Sequence, residues 1–186
     1  MAFLNPLAVI ILGTASSATL LALASLSAWK KKNVIGFSIP LFALGIFDFI
    51  NGLFLEFMAP LPGPYNLLFG DSVLFLGLLL IIGGYMLYKK IDLMYVSPVA
   101  ALFGIYLLVD SYAVWTFNLT RTPMLTAAMF AGAGLAAVTQ LAASKDRDYM
   151  YLVCGALLAL VALALLFFTY EAIFGHIAGF VAAAAG

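Results

Sequence analysis

The sequence predicts an all-α integral membrane protein of six transmembrane helices, with both termini outside and three hairpins that read as a pseudo-repeat. Three observations predict it. Hydrophobic residues make up 66% of the 186 positions and charged residues 9%, with a mean hydropathy of +1.18, whereas soluble domains are roughly 45–50% apolar and about 25% charged. Six apolar runs are each close to the ~20 residues a bilayer crossing needs. Seven of the eight Lys and Arg residues fall in the turns at one end of those runs, the end that the positive-inside rule assigns to the cytoplasm.

The first run, Pro6 to Trp29, has no positive stretch before it and three lysines after it, so it reads as a retained helix rather than a cleaved signal peptide. Asn5-Pro6 supplies a start signal: a side-chain acceptor, then a residue whose missing N–H is harmless in the first turn. The second run, Val34 to Met58, follows Lys30, Lys31, Lys32 and the acceptor Asn33. The third, Ser72 to Tyr88, follows Asp71 and ends at Lys89 and Lys90. Ser97 precedes the fourth, Pro98 to Phe117, and Thr122 precedes the fifth, Pro123 to Ala143. Lys145 and Arg147 separate it from the sixth, Tyr149 to Phe174, which Asp148 introduces. Together the six form one polytopic domain over residues 1–186. Between the second and third runs lies Ala59 to Asp71, whose prolines at 60, 62 and 64 and Gly63 oppose helix and ladder. Its Tyr65, Leu67, Leu68 and Phe69 are too apolar for water, so the segment is expected to cap the bundle mouth or lie as a prolyl turn at the interface.

That loop and the run after it, PLPGPYNLLFGD continuing into VLFLGLLLIIGGYMLYKK, resemble the signature stretch of an archaeal membrane-protein family known as domain of unknown function nine hundred and eighty-one. The resemblance implies a multi-helix archaeal membrane protein and no particular activity. In size and helix count the chain is also faintly similar to the small urea and amide channels, without matching their motifs.

Four acids have no capping or turn role: Asp48, Glu56, Asp110 and Glu171. Counting ~1.5 Å per residue from the outer helix ends puts Asp48 about 15 Å deep, Asp110 about 11 Å, Glu171 about 5 Å and Glu56 about 3 Å. A carboxylate in lipid costs several kcal/mol unless satisfied, so such residues line pathways or lock helices together. Asp48, Asn51 and Glu56 share one side of the second helix. Each basic turn, KKKN, KKID or KDRD, leads into a helix bearing one of Asp48, Asp110 and Glu171, which suggests three tandem hairpins. Gly45-Ile46-Phe47 matches Gly104-Ile105-Tyr106, although that register sets Asn51, not Asp48, against Asp110.

Two functions compete. In the first, Asp48, Asn51, Glu56, Asp110 and Glu171 line an outward-facing acidic cavity of a channel or carrier for a proton, cation or small polar solute. The external Arg121 then recognises an anion or pairs with Glu56 or Glu171. In the second, the acids are protonated and hydrogen-bonded across helices, and the chain is a non-catalytic accessory or scaffold subunit. Small residues at Thr14, Ala18 and Ala22 and at Ala128, Gly132 and Ala136 would then dock helices against each other, a homo-oligomer or a larger membrane complex. No enzymatic motif is present. One histidine, His176, and one cysteine, Cys154, leave no bis-histidine haem, histidine-rich site or disulfide within the chain, so no cofactor is expected. Cys154 reads as packing, and Gln140 is the one strong polar group in the inner halves of the helices. There is no basic stripe for nucleic acid. The expected partner is the bilayer of the cell membrane, with the basic loops cytoplasmic.

Overall fold

In a bilayer, helices are not driven together by burying leucine, because lipid tails are as apolar as leucine; they associate where small residues let backbones approach. The architecture follows that rule. The computed structural model describes residues 6–61, 64–143, 145 and 148–184. These form α1 (Pro6–Trp29), α2 (Ser38–Met58), α3 (Tyr65–Tyr88), α4 (Ser97–Phe117), α5 (Pro123–Ala143) and α6 (Tyr149–Ala184). Among the described residues there is no strand, and all six helices are long and apolar enough to cross a membrane. The molecule is an all-helical, multi-pass membrane protein.

The helices stand in chain order around a ring that α6 closes against α1. Packing alternates around it. The close pairs are α2 with α3, α4 with α5, and α6 with α1, while α1–α2 and especially α3–α4 touch lightly. Small residues spaced seven apart explain the close pairs. On α2 they are Ser38, Gly45 and Gly52, and on α3 Gly70, Gly77 and Gly84. A Cβ on Gly45 would stand 2.6 Å from the Ile81 nitrogen and 2.9 Å from the Gly77 carbonyl. Gly104 and Gly134 meet in the same way between α4 and α5, each placing a Cβ 2.6 Å from the other's carbonyl. On α6, Gly155 approaches the Ala22 carbonyl of α1. These glycines are required by close approach.

The expected hairpin repeat has a counterpart in the turns. Lys31 and Lys90 both adopt left-handed backbone with φ 55°. Asn33 accepts from the Ile35 N–H at 2.9 Å and Asp92 from the Met94 N–H at 2.8 Å. A short turn of tighter helix follows each, then Ser38 or Ser97, and the two long helices end on left-handed Ala59 and Asn118. In this register Gly45 falls against Gly104 and Asp48 against Leu107, so the acids of the two hairpins are not equivalent. The close packing also joins helices across the hairpins, not within them.

Four expectations are corrected. The third helix starts at Tyr65, not Ser72. Residues 65–71 leave the loop and form its first turns, because Pro64 holds the cap position, the Asn66 side chain bonds both backbone groups of Leu61, and Leu68 and Phe69 gain packing partners. Asp71 is therefore inside a helix and caps nothing. Ser97 does not cap α4 either: it is the first helical residue, and its hydroxyl donates to the Met94 carbonyl at 2.9 Å. Finally, Gly175 does not end the sixth helix, which runs through 36 residues to Ala184 and carries Glu171 and His176 on an exposed extension. The expected roles of Asn5, Pro62, Gly63, Asp146 and Arg147 lie outside the described residues.

Adjacent glycines on α3 give a direct test. Gly84 abuts the Phe42 nitrogen, at 2.7 Å from a Cβ, whereas Gly83 has nothing within 4 Å. Gly84→Ala is expected to destabilise the protein in detergent by about 1–3 kcal/mol through overpacking. Gly83→Ala should be neutral or stabilise by up to about 1 kcal/mol through helix propensity. Equal effects in thermal or denaturant unfolding would contradict the packing described.

Candidate functional site

The three close pairs do not fill the middle of the ring. A cavity of about 300 Å³ remains there, lined by residues from all six helices. Its lining runs on α1 from Leu7 to Ala28 and on α3 from Phe69 to Leu87, nearly the full length of both helices. A volume of that size over that length is a narrow bore. At the end bearing Asp110 and Glu56, here the acidic end, Ile10, Ile11, Leu107, Met129, Phe130 and Leu165 are buried. The rings of Phe69 and Phe130 stand 5.9 Å apart among them, so the bore is closed there. At the opposite, basic end, the lining residues Ala28, Val34, Leu87, Leu93, Val96 and Tyr151 keep part of their surface, and the bore is more open.

Among the described residues no Asp, Glu, Lys, Arg or His lines this cavity. Its polar groups are few. Thr14 turns its hydroxyl back to the Ile10 carbonyl at 3.0 Å. Ser72 faces Asp110, and the rest gather toward the basic end: Ser25, Ser97, Gln140, Tyr151 and Cys154. Ser25 donates to the Cys154 sulfur and the thiol donates to the Gln140 carbonyl oxygen, each at 3.7 Å.

The predicted site residues sit elsewhere, and they do not form one cluster. Asp48 is fully buried between α1 and α2, where the Ser17 hydroxyl donates to Oδ2 at 2.6 Å. Its Oδ1 is buried with no partner. Asn51 spends its amide N–H on the Phe47 carbonyl of its own helix at 2.7 Å. Asp110 is buried between α3 and α4 and accepts from Ser72 at 3.3 Å, while Tyr106, one turn below, donates to Asp71 at 2.9 Å. Glu56 lies over Gly70 beside the backbone N–H of Asp71 and leaves Oε1 buried without a hydrogen bond. Glu56, Asp71 and Asp110 thus gather where α2, α3 and α4 meet, yet among the described residues no three acids, cysteines or histidines converge as metal ligands. Glu171 is exposed on the extension of α6, and Arg121 is exposed in the turn before α5. At the basic end, Lys31 pairs with Asp148 at 2.9 Å, and that hydrogen bond holds the ammonium above the usual lysine range.

Residues 1–179 match the family described as "Protein of unknown function (DUF981)". The chain belongs to that family. The match spans all six helices and ends within the extension of α6, so the bore, the seams and the acids all lie inside the DUF981 region. Comparison with curated proteins returns no match, and comparison with solved structures returns none.

Hydropathy could not reveal the bore, because its lining is built from the same Leu, Val, Ala and Phe that face lipid. The cluster of Ser25, Gln140 and Cys154 did leave a signal. Each lies within about 5–8 Å of its helix end at the same end of the bundle, by the rise of an α-helix.

The Ser17–Asp48 bond yields a prediction. Ser17→Ala leaves the carboxyl of Asp48 without its one partner, a loss of about 1 kcal/mol by the standard of interhelical bonds in membranes. Asp48→Leu in the Ser17→Ala background is expected to recover most of it, because it removes the stranded acid. A double-mutant cycle in detergent unfolding checks this; additive losses would show that the two side chains are not coupled.

Proposed function

We propose that the protein is a channel or carrier for small uncharged molecules, which pass through or reside in the central bore. One observation carries this reading: all six helices contribute to the bore, and no Asp, Glu, Lys, Arg or His reaches it among the described residues. An ion entering an apolar, narrow passage would lose its hydration without replacement, at a cost of several kcal/mol. A neutral solute of modest polarity loses far less. The acids, which first suggested a cation or proton route, are spent on seams between helices: Asp48 on Ser17, and Asp110 on Ser72. Under the positive-inside rule the basic end faces the cytoplasm of a cell membrane, so the bore as built opens inward and is shut outward by Phe69, Phe130 and their neighbours.

A second reading, an accessory subunit of a larger complex or a homo-oligomer, is favoured by the end of α6. There Phe174, Ile177 and Val181 are exposed on a helix that outruns its neighbours. Purification from native membranes as a lone monomer would remove that support.

Vesicle measurements test the transport reading. In liposomes the protein is expected to speed the entry of a small neutral solute such as glycerol, with proton and potassium leak unchanged from empty vesicles. Ala133→Phe, which places a ring in the lining, should return solute entry to the level of empty vesicles. Ion flux that disappears in Asp110→Asn would instead re-establish an acidic pathway.

A further inference from the structure

The bore is not uniformly apolar, and its asymmetry points to the kind of molecule it holds. Over most of its length it is walled by groups such as Leu107, Phe130, Val161 and Leu165, which offer dispersion contacts and no hydrogen bond. Toward the open, basic end three helices bring neutral polar groups together. Ser25 of α1 donates to Cys154 of α6, and Cys154 donates to the carbonyl oxygen of Gln140 of α5, both at 3.7 Å. These are long, sulfur-mediated bonds, weak enough for a better partner to displace. Gln140 engages only its carbonyl in them. Its amide N–H2, carrying two donors, has no protein partner among the described residues, although the side chain lines the cavity. A donor left over at the edge of an apolar bore is a recognition element of the sort that fixes a ligand's orientation in a mostly apolar pocket.

We infer that Ser25, Gln140 and Cys154 form a binding station for the head of a small uncharged amphiphile, whose apolar body occupies the bore above them. This rests on the transport reading and names its substrate class. The head accepts a hydrogen bond from the Gln140 amide and exchanges one with the Ser25 hydroxyl; an alcohol or a primary amide satisfies both. It carries no charge, because no Asp, Glu, Lys, Arg or His lines the cavity among the described residues to compensate one. The body is apolar and slender, because the volume of about 300 Å³ lies at the small end of ligand pockets. Its direction is fixed as well: head toward the open basic end, body toward the closed acidic end.

The chain's single cysteine makes this measurable without engineering a reporter. Cys154 lines the bore, so its rate of alkylation by N-ethylmaleimide, in the intact protein in detergent, reports whether the station is reachable and vacant. Octan-1-ol and octanamide are expected to slow the reaction about tenfold at ten times their Kd, whereas octane and octanoate at equal concentration should not. Gln140→Leu and Ser25→Ala each remove a partner of the thiol and so shift its own rate; measured against each variant's rate without alcohol, they should abolish most of the protection, while unchanged thermal unfolding in detergent reports an intact fold. Protection by octane or octanoate equal to that by octan-1-ol, or protection that survives both substitutions, overturns the inference and leaves the open bore standing. A Cys154 that reacts only after unfolding in dodecyl sulfate overturns both, since the bore would then be closed at its basic end too.

Discussion

Backbone contact between paired helices is the constraint on which the rest of the structure depends. At Gly45 and Gly77 and at Gly104 and Gly134 the separation leaves no room for a side chain, and at Gly155 a Cβ would crowd the Leu26 side chain and the Ala22 carbonyl. Such contacts maximise dispersion in an environment where burial of leucine gains little. Each helix can give its small-residue face to one neighbour only. Three close pairs result, and six helices so paired must meet along three looser seams, around a centre that no side chain fills completely. The bore is thus a consequence of how the pairs form.

Each of the looser seams is crossed by a side-chain hydrogen bond. Ser17–Asp48 joins α1 to α2, Ser72–Asp110 joins α3 to α4, and Cys154–Gln140 joins α5 to α6. Where packing is thin a hydrogen bond is the remaining source of cohesion, and in membranes one contributes about 1 kcal/mol, since the separated helices also find partners. That is small against the cost of placing an acid in lipid. Asp48 and Asp110 therefore cannot be explained as the cheapest way to hold a seam. Specificity is the better account: an acid must be turned to a hydroxyl on one helix, which fixes the rotation of its own. At α3–α4, the least packed seam, the bond is reinforced by Tyr106 on Asp71 and by the Phe75 and Phe103 rings at 6.0 Å.

Much of this was legible in the sequence, and the exceptions have physical reasons. The spans and the basic end follow from free energies large enough to override local detail. The start of α3 was hidden because three prolines within five residues oppose helix locally, whereas the packing of Leu68 and Phe69 is tertiary. Asp48 and Asp110 were marked by their cost, but cost does not say which neighbour satisfies them; Ser17 and Ser72 are small, common residues in runs of their kind. The glycines of α2 and α3 were visible, yet their meaning lies in two matching seven-residue spacings on different helices. On one helix such spacing is indistinguishable from chance. The bore was illegible in principle, since an inward leucine and a lipid-facing leucine are the same residue.

The two ends of the bore are held by different kinds of contact, and this bears on how it could open. Its acidic end is closed by side chains, chiefly Phe69, Phe130, Leu107 and Leu165, of which Phe69 is only half-buried. Side chains change rotamer in far less time than helices shift. The close pairs, by contrast, meet backbone to backbone and have little freedom to slide without collision. Movement of whole helices is then confined to the seams, and α3 with α4 offers the least resistance. Phe69 belongs to α3, and Leu107 lies on α4 one turn from Asp110. A small separation of that seam would therefore draw two members of the plug apart while leaving all three pairs intact. The acids at the same level, Asp110 with Ser72 and Asp71 with Tyr106, are placed to resist that separation; under the transport reading proposed above, their part is to hold the seam without contact with the solute.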